Sequence, residues 1–363
     1  PSIGRGSPAD ADRRQNPDEC PACGPHSGGG AVDMHDIDEP AMQAAACEGV
    51  AQAQADPEFE LGWDYARHGI APPVDRIAEG SGLDRGYRAG QVLFGDRAPA
   101  PGRFVRKWLQ LRLGALERRR TFELHGITPD YLETIDVPYC PILRRELTHS
   151  CQLPSDWSVD RIANDGDYAA GNLAVMSTLA NQVKCDYGFR DALQFMKQAE
   201  SVGTVAGLDA AQWARIAVLS SFVQPLDDVE SASLPMLLLP PPGVAQRNPL
   251  QVLQAQVSVT VVRRDRSDRL AALRSAIPGK ALRGDFEAFH RCWHARVVAL
   301  GRARPGLPAA WILEDAWHCG LVLRRWRRFA RGLGRLRARR VVEAMQATPA
   351  RRIRGQAAGR SAA

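Results

Sequence analysis

The sequence predicts a mainly α protein, α+β overall, in which one small strand–turn–strand–helix unit is set among helices. Three observations lead there. Apolar residues recur at three- and four-residue spacing along much of the chain, as in Val105, Trp108, Leu109, Leu113 and Leu116, which is the stripe of a helix with one buried face. The stretch 139–189 instead holds two short β-type segments around a polar turn. No apolar run approaches the ~20 residues of a membrane span, so no membrane partner is expected.

The 363 residues, 45% of them hydrophobic, suffice for two or three domains. A net charge of +6 and a pI near 9.0 suit an anionic partner. Eight cysteines follow no regular framework, which in a chain of this length points to a reduced, cytoplasmic protein. The polar N-terminus lacks the apolar centre of a signal peptide.

Residues 1–55, rich in Gly, Ala, Asp and Pro, are expected to be disordered. Within them Cys20-Pro21-Ala22-Cys23 is half a zinc site, with His26, His35 and Cys47 nearby. A structural zinc wants four ligands in two pairs, and with no second pair it is not expected. A helical domain over 56–230 follows. Phe59 to Ala66 is a short helix ended by Pro72-Pro73, with Trp63 and Tyr65 as core or docking aromatics. Leu83 to Phe94 is a second, closing at Gly95, and Phe104 to Arg120 a third and longer one. On the third, Arg103, Arg106, Lys107, Arg112 and Arg118-Arg119-Arg120 surround the apolar stripe. They read equally as a solvated face or as a phosphate-contacting surface. Thr128-Pro129-Asp130 is a helix start with Pro in the first turn.

Cys140-Pro141 opens the central unit. Ser158 to Ile162 alternates like a strand, Asn164 to Asp167 is a tight turn, and Leu173 to Met176 is a second apolar segment. Ser177 then caps a helix through Asn181 and Lys184. Cys140-Pro141, Ser158 to Asn164, Tyr168, Gly171-Asn172, Ser177, Ala180-Asn181 and Lys184 together resemble the HNH (His-Me finger, ββα-metal) endonucleases, in their D-R-I variant branch, over residues 139–189 alone.

The resemblance implies a ββα-metal unit that binds one Mg²⁺ or Mn²⁺ beside a scissile phosphate of duplex DNA, where the ion stabilises the leaving oxygen. Asp160 and Asn181 are then its ligands, Asn172 braces the loop, and Lys184 approaches phosphate or fixes the helix to the hairpin. Arg161 stands where the active pattern has its general-base His. An arginine cannot be deprotonated, though it can clamp a phosphate. Ala163 replaces a second acidic residue, Asp167 replaces a glycine, and Leu143 stands where a zinc-knuckle Cys would be. His149 is the nearest substitute base, against its reading as a solvated loop histidine. Cys151 and Cys185 read as small buried hydrophobes.

Beyond the unit, Phe189 to Ser201 and Asp209 to Leu219 are amphipathic helices, the second capped by Asp209. A proline-rich linker over 231–249 marks a domain boundary, although Met236 to Leu239 should pack on a neighbour. The C-terminal region, 250–363, reads as helical, with a β-branched run at Val257 to Val262 that could be a strand. His290 and His294 are one turn apart, the spacing of a shared metal or of a polar helix contact. Trp293, Trp311, Trp317 and Trp326 read as core or interface aromatics. The last helix presents Arg324, Arg325, Arg327, Arg328 and Arg331, continued by Arg351, Arg352 and Arg354, as a nucleic-acid-binding face.

Three functions follow. One is a metal-dependent HNH-type DNA endonuclease, its catalysis impaired by loss of the base. The second is a non-catalytic nucleic-acid-binding protein on a degenerate HNH fold. In the third the hairpin is only a packing unit.

Overall fold

Helix-capping chemistry sets most of the boundaries in the computed structural model, which describes residues 56–95 and 100–347. The N-terminal tail, its Cys20–Cys23 pair and Arg351, Arg352 and Arg354 lie outside the described residues. Asp56 caps α1 (Pro57–Arg67) and Ser81 caps α2 (Gly82–Phe94), which ends at Gly95. These two helices cross closely at Gly62 and Gly86, where any Cβ would run into the partner's backbone at Leu83 and Phe59. α3 (Arg103–Glu117) packs on α1 and on α4 (Pro129–Thr134), whose N-cap is Thr128, as the Thr-Pro-Asp run predicts.

The central unit follows. Strands β1 (Trp157–Arg161) and β2 (Leu173–Ser177) pair antiparallel, with Val159 opposite Val175 and Asp160 opposite Ala174. All of β2 is buried, whereas β1 buries Val159 and turns Asp160 and Arg161 toward a cleft. Ser177 caps α5 (Thr178–Lys184), its hydroxyl accepting from Ala180 N at 3.2 Å. α6 (Phe189–Val202), a two-residue-per-strand hairpin of β3 (Thr204–Val205) and β4 (Leu208–Asp209), and α7 (Ala210–Phe222) form a second layer. Asp209 and Gln212 make a reciprocal capping box at its start.

The proline-rich stretch is not a free spacer. It begins in α8 (Asp228–Ser233), buries Met236, Leu237 and Leu238, and ties Leu239 N to Glu314 Oε1 at 2.9 Å. The C-terminal helices are α9 (Pro249–Thr260), α10 (Arg266–Ala276), α11 (Lys280–Ala303), α12 (Ala309–Ala316) and α13 (Gly320–Ala347). The Val257 to Val262 run is therefore helical up to Thr260, because burial of Val257 and Ser258 on neighbouring helices outweighs β-propensity. α13 carries a break at Gly334, whose φ of 71° and ψ of 164° are open to glycine.

Trp293, Trp317 and Trp326 are wholly buried with Phe286, Phe289 and Phe329, and Trp317 meets Trp326 edge to face at 5.5 Å. The described residues from Asp56 on form one compact unit, mostly helical with two small antiparallel sheets. No helix among the described residues is long and apolar enough to cross a membrane.

Candidate nucleic-acid interface

Hairpin register places Asp160 and Arg161 at the end of β1, and the seven-residue α5 brings Asn181 across from them. The result is a cleft of about 550 Å³ between α3 and the β1–β2–α5 unit. Asp160, Arg161, Asn181, Ser158 and Asn164 line one wall, while Lys107, Arg118 and Arg120 come from α3 and its C-terminal turn. The basic residues of α3 that border the cleft thus face the unit.

Asp160 is held from below. Lys184, the last residue of α5, is wholly buried, and its Nζ lies 2.7 Å from Asp160 Oδ2. That oxygen is buried, and the Lys184 ammonium is the charge beside it. Lys184 Nζ also donates to Arg161 O at 2.9 Å and Asn164 Oδ1 at 3.4 Å. Of the two roles the resemblance offers for Lys184, this geometry is that of fixing helix to hairpin, since a wholly buried ammonium reaches no external phosphate. Burial pushes the Asp160 carboxyl above the ordinary aspartate range, against the opposing pull of Lys184 and Arg161.

Arg161 is held on two sides. Nη1 donates to Gly166 O at 2.9 Å, and the guanidinium lies 4.8 Å from the centre of the Tyr168 ring. Asn172 braces the β1–β2 loop: its Oδ1 accepts from Ala163 N at 2.9 Å, and its Nδ2 donates to Ala163 O and Asp167 O at 3.1 and 3.0 Å. Arg120 reaches the same loop at Asp165 O, 3.2 Å away. Burial holds Lys107, beside Trp157, below the usual lysine range.

Other candidates fall elsewhere. His149 is not among the cleft-lining residues; it contacts Arg103, 2.8 Å from Nε2, and meets Trp157 edge to face. Arg112 is buried and paired with Asp64, so it belongs to neither a solvated nor a phosphate-binding face. Cys151 and Cys185 are exposed, contrary to their reading as buried hydrophobes, and Cys185, at the end of α5, borders the cleft. Arg324, Arg325, Arg328 and Arg331 are exposed on α13, whereas Arg327 is half-buried and donates to Ser233 O. His290 and His294 stack at 6.1 Å, and among the described residues no three His, Cys, Asp or Glu side chains gather into a metal-holding group.

The cleft's donor set is of another kind. Two carboxylates, Asp160 and Asp186, line it with neutral oxygens on Asn181, Ser158 and Asn164. Mg²⁺ and Mn²⁺ suit such hard oxygen sets, in which one or two carboxylates are completed by waters and substrate phosphate. The Asn181 amide nitrogen donates to Ser158 Oγ at 2.8 Å, which turns its oxygen away from that bond. Sequence reasoning passed over Asp186, which also lines the cleft from beyond α5; no spacing rule marks it. Comparison of the chain with protein-family models, with curated proteins and with solved structures found no match.

Proposed function

We propose that the chain is a metal-dependent HNH-type endonuclease that binds duplex DNA in the α3–hairpin cleft and hydrolyses phosphodiester bonds there, as a cytoplasmic protein. The observation that carries the reading is the joint presence in one cleft of four cationic side chains, Lys107, Arg118, Arg120 and Arg161, with Asp160 and Asn181. Cations on one wall neutralise backbone phosphates irrespective of sequence. Asp160 and Asn181 are the residues that would hold Mg²⁺ or Mn²⁺, and the ion, when bound, supplies charge stabilisation at the leaving oxygen. Arg161, fixed by Gly166 O and Tyr168, orients a phosphate oxygen, and Asn172 keeps the loop that aims it. The exposed arginines of α13 add a second basic surface for the same polyanion.

A second reading, a non-catalytic nucleic-acid-binding protein, is favoured by a specific feature. The Lys184 ammonium already stands at the Asp160 carboxylate, and no imidazole lines the cleft to accept a proton from water. Incubating supercoiled plasmid with the purified chain in Mg²⁺ or Mn²⁺, beside Asp160→Ala, separates the two. Nicking that is lost in the variant supports the nuclease. Salt-sensitive retention of DNA without nicking leaves the binding protein, and the absence of both nicking and retention sinks both readings.

A further inference from the structure

On the far side of α3 lies a hollow of about 560 Å³ that the proposed chemistry does not use. Phe59, Trp63 and Arg67 line it from α1, spaced by four and therefore on one helical stripe, and Trp108, Arg112 and Leu124 face them. Trp63 stacks on Phe59 at 6.4 Å and 24° and meets Phe94 edge to face at 5.3 Å. The opposite wall is rigid: Trp108 Nε1 donates to Ile127 O at 2.8 Å, and Arg112 is paired with Asp64 and lies 4.5 Å from the Trp108 ring. Arg67 is exposed at the rim, and Leu124 is 38% exposed. Glu60 and Asp64 are its acids, and the second is matched by Arg112.

This hollow and the cleft are related through a third space that shares lining residues with each. A neighbouring space of about 400 Å³ shares Glu60, Arg112 and Leu124 with it and adds Arg119 and Arg120. Arg120 also lines the Asp160 cleft. The turn that closes α3, with Arg119 in the left-handed region at φ 51°, thereby spreads Arg118, Arg119 and Arg120 between the two sites.

We propose that the hollow takes an unpaired nucleotide of the DNA whose duplex lies in the cleft, its base against the Trp63–Phe59 face and its phosphates along Arg118–Arg120. The proposal rests on the DNA-binding reading. Stacking on an aromatic face with a guanidinium at the rim serves any base, because every base has a π-face. The arginine turn supplies the charge that a connecting strand needs, and the shared Arg120 gives the path.

Fluorescence anisotropy of the full chain in EDTA, with a blunt duplex and the same duplex carrying a single-stranded tail, tests it. The wild-type chain should bind the tailed probe about 5- to 150-fold more tightly, the range that one stacked base provides. Leu124→Glu, at the exposed rim, should bring the ratio of tailed to blunt affinity to about one, and Trp63→Ala should do the same. Leu124→Glu keeps the test valid should Trp63→Ala fail to fold. Equal wild-type affinities, or a ratio retained in Leu124→Glu, would overturn the proposal. Tight blunt binding with no tail effect removes this site alone; binding of neither probe removes the DNA reading with it.

Discussion

Lys184 Nζ stands 2.7 Å from Asp160 Oδ2, and the lysine side chain is wholly buried. Removing one partner of a buried pair leaves the other as an uncompensated charge, which typically costs about 3–5 kcal/mol. Lys184→Met should therefore lower stability by that order in urea unfolding, and Lys184→Met with Asp160→Asn should recover a large part. Additive losses in the double variant would show that the two groups are not coupled.

Asn172 makes three hydrogen bonds to the loop backbone. At roughly 1 kcal/mol net for each, Asn172→Ala should destabilise by about 2–3 kcal/mol. Asn172→Asp, which keeps the acceptor but sets a carboxylate oxygen against the Ala163 and Asp167 carbonyls, should cost at least as much. Chemical denaturation midpoints at constant slope measure both.

His290 is held down to about 4 by burial first and by the neighbouring His294 next. A histidine kept neutral in the fold contributes stability that is present above its unfolded value near 6.5 and is lost as pH falls from there toward 4. Melting temperature should drop between pH 7 and pH 5 in the wild-type chain, and the drop should be smaller in His290→Phe. Parallel pH profiles for the two proteins would remove His290 from the explanation.

If Arg120 meets DNA phosphate, Arg120→Ala should weaken binding uniformly across sequences. It should also lower the slope of log K against log salt by about 0.9. Arg324→Ala with Arg331→Ala, on the exposed face of α13, should lower it by about 1.8 if that surface shares the polyanion. Unchanged slopes would assign those arginines to another role.

What could be read beforehand was short-range. Thr128, Ser177 and Asp209 are N-caps because a hydroxyl or carboxylate two or three residues ahead of a free N–H is local chemistry. The hairpin also follows from spacing within fifty-odd residues, whereas Asp160, Arg161 and Asn181, which line one cleft, are marked only by the resemblance. The resemblance leaves Lys184 two roles, and the choice between them rests on its burial against Asp160 of β1, which spacing alone does not show. The same holds for Arg112, whose partner Asp64 lies 48 residues away. The strand-like run at Val257 yielded to packing that no local pattern encodes.

One buried contact carries a consequence for how the chain is made. Arg144, in the left-handed region at φ 53° within the turn that opens the hairpin unit, donates to Glu314 Oε2 at 2.9 Å and Asp315 Oδ1 at 2.6 Å, across 170 and 171 residues. At synthesis rates of about 5–20 residues per second, its guanidinium waits roughly 10–30 s for those carboxylates to be translated. The hairpin region is therefore translated well before the penultimate helix that carries the carboxylates pairing Arg144. Synthesis order alone delays that pairing until α12 has been made.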